Sequence, residues 1–167
     1  MNEYRWFGTT PSASNIWNSG VFISTDFQLE NSYLYDSYKN EVETKFPSGA
    51  TTYLWSYNNK YPVAKIENAT YVQVSTALGG SFINTLALAT NQATIGNYLS
   101  QLRNTLSANL PAAFVSTYTF KPFGISSETD QAGKTVYYEY DSFGRLKLIR
   151  DFENNIVKKT EYHYAGQ

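Results

Sequence analysis

Along the last third of the chain, aromatic and aliphatic residues alternate with polar ones: Val136, Tyr138 and Tyr140, then Leu146 and Leu148, then Ile156, Tyr162 and Tyr164. A period of two puts each set on one face of a β-strand. The runs 134–141, 145–151 and 155–164 are separated by related phrases, Asp130-Gln131-Ala132-Gly133, Asp141-Ser142-Phe143-Gly144 and Asp151-Phe152-Glu153-Asn154. An Asp opening a type I turn accepts a hydrogen bond from a backbone N–H inside it, and Gly at the fourth position supplies a left-handed conformation. Asn is the best non-Gly substitute there. The pattern predicts an antiparallel meander of hairpins whose turns are formed by Asp130, Gly133, Asp141, Gly144, Asp151 and Asn154, with positive φ at 133, 144 and 154.

A weaker copy lies upstream. Tyr33, Tyr35 and Asp36 align with Tyr138, Tyr140 and Asp141, and Trp55, Tyr57 and Asn58 with the same places. Phe46-Pro47-Ser48-Gly49 has Pro second and Gly fourth, a favourable type I turn, so strands are expected over 20–66. Val21, Ile23 and Phe27 suggest a further strand, whose register no repeat phrase sets. Over 70–110 the period changes. Thr70 reads as the N-cap of YVQVSTAL, which Gly79-Gly80 closes; Ser81 reads as the cap of FINTLALAT; Ile95, Tyr98, Leu99, Leu102 and Leu106 keep helical spacing up to Asn109-Leu110-Pro111. The fold class is α+β: an antiparallel hairpin-meander sheet with a helical insertion, three short helices, packed on it. Residues 1–66, 67–112 and 113–167 are its strands, insertion and meander, in one compact unit.

With 167 residues the chain can bury a core but not two full-sized domains. A net charge of −1 with 16% charged residues gives no footprint for nucleic acid, and none is expected as a partner. No cysteine is present, which removes disulfides, thiolate nucleophiles and Cys-ligated zinc. No run approaches the ~20 apolar residues of a membrane span, and the N-terminus has no signal-peptide pattern. Aromatics reach 17%, with 15 Tyr, 10 Phe and 3 Trp, which fits either strand-rich packing or a sugar-facing surface. From Asn68 to Phe120 the single charge is Arg103, so the insertion either packs on several sides or meets a partner.

The phrase Tyr138-Glu139-Tyr140-Asp141-Ser142-Phe143-Gly144-Arg145-Leu146 closely resembles the YD repeat of bacterial Rhs-type proteins. Tyr118-Thr119-Phe120, Gly124 and Asp130 resemble the preceding repeat, and Asp151, Asn154, Tyr162 and Tyr164 the following one, at a spacing of about twenty. The resemblance is strong over 118–164 and weak over 33–66. It implies a piece of an extended repetitive sheet from a secreted or cell-surface protein, with adjacent repeats as partners. In that family the repeats wind into a hollow shell. This chain has too few repeats to close one, and it lacks the Asp-Pro-x-Gly phrase of self-cleavage.

Candidate chemistry is sparse. Glu128 with Asp130 and Glu139 with Asp141 are carboxylates two apart, which on a strand share a face as Ca²⁺ ligands or an acid/base pair would. No dense run of oxygen ligands accompanies them, so the Asp residues read as turn formers and no metal is expected. His163, the sole histidine, reads as a strand residue without a nucleophile phrase. Gly79-Gly80-Ser81 lacks the Lys of a phosphate loop, so no cofactor is expected, and Thr70 in the Asn68-Ala69-Thr70 sequon reads as a helix cap. Trp55, Tyr57, Tyr138 and Tyr140 are the candidate ligand-binding rings, either stacking on sugars or packing under the helices. Three functions follow: a non-enzymatic structural or interaction module joining adjacent repeats or itself through sheet edges; a carbohydrate-binding module using those rings; and, remotely, a hydrolase gathering carboxylates with His163.

Overall fold

Tight reversals make consecutive strands neighbours, and here they do so along almost the whole chain. The structure, a computed structural model, describes residues 1–6, 17–18, 21–22 and 27–162. Its strands are β1 Asn2–Trp6, β2 Trp17–Asn18, β3 Val21–Phe22, β4 Phe27–Tyr35, β5 Glu41–Phe46, β6 Gly49–Ser56, β7 Tyr61–Glu67, β8 Phe114–Lys121, β9 Gly124–Thr129, β10 Thr135–Tyr140, β11 Leu146–Arg150 and β12 Ile156–Lys159. All but β2 and β3, which pair with each other, form one antiparallel ten-stranded sheet in the order β1-β4-β5-β6-β7-β8-β9-β10-β11-β12. The α+β architecture is as expected, and the N-terminal register is now fixed: β1 lies against β4 with Trp6 opposite Phe27 and Asn2 opposite Ser32.

Between β7 and β8 the chain leaves the sheet as α1 Tyr71–Leu78, α2 Gly80–Leu88 and α3 Gln92–Asn109. Thr70 opens α1 with a capping box: its Oγ1 accepts from the Gln73 N–H and Gln73 Oε1 accepts from the Thr70 N–H. Two expectations need correction. Ser81 does not cap α2; it lies inside the helix, because Gly79 at φ +82 both ends α1 and starts α2. Nor is α3 short, since its 18 residues begin after Asn91, whose side chain accepts from the Thr94 N–H.

The helices cover one face of the sheet. Thr52 Oγ1 donates to Ala69 O and Ser56 Oγ to Leu86 O, so Thr52, Leu54 and Ser56 of β6 point at them. Leu54, Val63, Ala64, Ile66 and Val115 of the sheet then pack with Val74, Leu86, Ile95, Leu99, Leu102 and Leu106 of the helices as the core. Alternation fails where a bulge intervenes. Glu139 faces Leu148 and Tyr140 faces Leu146, leaving Lys147 as an extra residue. Leu146 and Leu148 therefore lie on opposite faces, not on one as the period implied. A second extra residue, Val157, breaks the alternation after Ile156 in the same way.

Candidate functional site

The meander's repeated element is its Asp reversal. At Asp36, Asp130, Asp141 and Asp151 the Asp N–H donates to the carbonyl four residues on, and the N–H three residues on donates back to the Asp carbonyl, all between 2.9 and 3.1 Å. Asp Oδ1 accepts from the N–H of Asn40 at 2.8 Å, Lys134 at 2.8 Å, Arg145 at 3.0 Å and Asn155 at 2.8 Å. In three of the turns it also accepts from the N–H two residues on, that of Tyr38, Phe143 or Glu153. The fourth residue is left-handed every time: Lys39 at φ 68, Gly133 at 82, Gly144 at 76 and Asn154 at 69. Each reversal is closed by the same pair, the residue before the Asp against the residue five after it: Tyr35 with Glu41, Thr129 with Thr135, Tyr140 with Leu146, Arg150 with Ile156. After three of them a bulge sits six residues past the Asp, at Val42, Lys147 and Val157. Twist is added at each such place.

These carboxylates are occupied as acceptors, and the ionisation of Asp141 and Asp151 follows. Asp141 is held below the usual carboxylate range chiefly by the Arg145 side chain, whose Nε and Nη2 lie 2.8 and 2.6 Å from Oδ2, and then by backbone N–H groups. At Asp151 partial burial pushes the value up, but hydrogen bonds from the Asn155 backbone and side chain and from the Glu153 N–H outweigh it. The partner acids lie apart from the turns: Glu139 pairs with Arg150 at 2.6 Å, and Glu128 accepts from the Tyr138 hydroxyl at 3.3 Å. Among the described residues no three His, Cys, Asp or Glu side chains gather closely enough to hold a metal ion. His163 and Tyr164 lie outside the described residues.

The four candidate rings are each tied to a different part of the framework. Trp55 Nε1 donates to Glu41 O of β5 at 2.8 Å. The Tyr57 hydroxyl donates to Phe120 O at 3.0 Å and accepts from Phe120 N at 2.8 Å, and burial pushes its pKa up. Tyr138 reaches Glu128, burial being the main reason its phenol is also raised, while the Tyr140 hydroxyl donates to Ile125 O at 2.9 Å. The structure thus gives the polar end of each ring a hydrogen-bond partner in the framework.

Sequence reasoning missed Lys39, because nothing in a lysine announces a left-handed site. It also misplaced Asn58. Tyr57, Asn58 and Asn59 are all left-handed, at φ 55, 56 and 59, and build no Asp-type turn. The loop instead caps α2: the Tyr57 N–H donates to Ala89 O at 2.8 Å and the Asn59 N–H to Ala87 O at 3.1 Å. At the far end of the sheet order, β12 pairs among the described residues with β11 alone, and its Ile156 and Val157 are 54% and 65% exposed. No helix among the described residues is long and apolar enough to cross a membrane. Against known proteins, the chain matches no family model and no curated sequence.

Proposed function

We infer that the chain is a non-catalytic structural and interaction module of a YD-repeat, Rhs-like surface or secreted protein, joining further hairpins or a second copy through its sheet edges. The observation that carries this reading is the reversal repeated at Asp36, Asp130, Asp141 and Asp151 with one hydrogen-bond plan. Such a unit adds one strand beside the last and leaves a new edge for the next. The turn carboxylates that a hydrolase would need for acid/base work serve instead as backbone acceptors.

The test is to lengthen the array. A tandem copy of residues 141–160 inserted after Thr160 places an Asp reversal directly beyond β12. The module reading expects the copied strand amides to become protected from hydrogen exchange and from limited proteolysis, with unfolding still cooperative. A copy that stays protease-sensitive while the rest folds would contradict it. Edge pairing between copies is read by sedimentation, and Lys159→Pro, which removes an N–H facing away from β11 because that of Thr160 bonds to Lys147 O, is expected to abolish it.

A further inference from the structure

The helix-covered face changes character along a single cross-strand row. Leu54, Ala64, Thr117, Thr129 and Thr135 lie side by side across β6, β7, β8, β9 and β10, so an apolar floor becomes a hydroxyl floor. The next row continues it with Thr119, Ser127 and Tyr137. Thr117 and Thr119 are only 4% and 8% exposed, a depth at which packing alone favours aliphatic side chains. Above this floor α3 presents Gly96, Ser100 and Asn104, one stripe at four-residue spacing, beside Leu99. The space between is an open cleft of about 400 Å³, within the size range of small-ligand sites.

Gly96 opens this cleft. A Cβ added there would meet nothing within 4 Å, so the roof stops short of the floor, although glycine inside a helix is less stable than alanine. Arg103 contributes the only charge to the lining among the described residues, and its Nη1 and Nη2 each donate at 2.7 Å to backbone carbonyls, Val115 O and Asp130 O. No carboxylate among the described residues lines the site. The floor hydroxyls pair as Thr119 with Ser127 at 2.6 Å and Thr129 with Thr135 at 2.9 Å, which leaves each pair able both to donate and to accept. No buried polar side-chain atom among the described residues lacks a partner, so a ligand here adds to a satisfied surface instead of rescuing a strained one. Tyr137, 45% exposed, supplies an aromatic ring to the same lining.

We propose that this cleft between α3 and strands β8 to β10 binds a neutral saccharide. Hydroxyls that both donate and accept match the alternating hydroxyls of a sugar, and the Tyr137 ring offers a flat apolar surface for a pyranose C–H face. A cation finds no acid in the lining, and an anion finds one guanidinium already aimed at two carbonyls. The site is separate from Trp55, Tyr57, Tyr138 and Tyr140 and does not depend on the scaffold reading.

The experiment is a ¹H–¹⁵N titration of the full chain with a panel of neutral mono- and disaccharides, N-acetylated ones included, and glucuronate as the acidic arm. At least one neutral member is expected to shift the amides of Ser100, Thr117, Thr129 and Tyr137, with a dissociation constant of about 1 mM or tighter. Gly96→Leu fills the cleft from the roof and is expected to weaken binding by at least roughly tenfold while the melting temperature holds or rises. Should that variant misfold, Ser100→Leu fills the cleft from the next turn, and Tyr137→Ala removes the ring from the edge. No binding by any neutral member overturns the proposal. So does binding by glucuronate alone, binding undiminished in the folded filling variant, or shifts confined to the opposite face of the sheet.

Discussion

The covered and the open half of the sheet hold together in different ways. Strands β6 to β8 lie under the helices and share a core in which Leu54, Val63, Ala64, Ile66, Val74, Leu86, Ile95, Leu102 and Leu106 are 2% exposed or less. In β9 to β12 only Ser126 and Leu148 are buried. There the strands are joined by backbone ladders, by the Asp reversals, by tyrosine hydroxyls on carbonyls and by Arg145 stacked 4.2 Å from the Tyr162 ring. Burial of apolar area stabilises the first region in proportion to what is covered, whereas the second depends on conformational fit at each turn. A hairpin that carries its own turn chemistry can thus extend beyond the helix-covered core.

Substitutions separate the two. The largest effect is expected in the covered half: Ile66→Ala leaves a cavity in the core under the helices and costs about 2–5 kcal/mol in chemical denaturation, with the whole chain losing stability. In the open half, Gly144→Ala puts a Cβ at φ 76, and that atom meets the Phe123 ring at 2.5 Å. Phe123 is 59% exposed and can swing aside, so the expected loss is about 1–2 kcal/mol from the left-handed backbone, together with loss of the Phe123–Tyr140 ring contact. Lys39→Gly acts at the equivalent place with the opposite sign. It relieves a left-handed lysine at φ 68 and is expected to raise stability by up to about 1 kcal/mol, read as a shift in denaturation midpoint. A cost at both sites would break the equivalence of the turns.

The smallest effect is one of pH. Asp141 and Asp151 have carboxyl groups more acidic when folded than when unfolded, so below neutrality the unfolded chain binds more protons. Their contribution is complete above the unfolded carboxylate value of about 3.9 and is lost as pH falls through the lower folded value. Asp141→Asn is expected to flatten the fall of the melting temperature with acid while lowering the plateau near neutrality. An unchanged acid profile would mean that the Arg145 pairing adds nothing.

How much of this was legible follows from where the information resides. Turn chemistry is local, so the phrases opening at Asp130, Asp141 and Asp151 announced their reversals, and the left-handed conformations at Gly133, Gly144 and Asn154 follow the residues best able to adopt them. Helical spacing marked Leu99, Leu102 and Leu106 as one face. The bulges at Lys147 and Val157 were not legible, since a bulge is set by the pairing of two strands and leaves no residue-type signature. Lys39 was hidden because a residue type that disfavours positive φ fills the fourth place of a local Asp turn, and the Tyr57-Asn58-Asn59 loop because tertiary bonds to Ala89 and Ala87 hold conformations that the residues alone disfavour. The hydroxyl floor under α3 shows only when Thr117, Thr129 and Thr135 are brought side by side.

Amide hydrogen exchange on the wild-type chain and on Asp141→Ala tests the central claim most directly. If local turn chemistry organises the open half, the variant loses protection at Gly144, Arg145 and the paired amides of β10 and β11, while Ile66, Leu99 and Leu102 in the covered half exchange as before. Uniform loss across both halves, or undisturbed protection at β10 and β11, would contradict it.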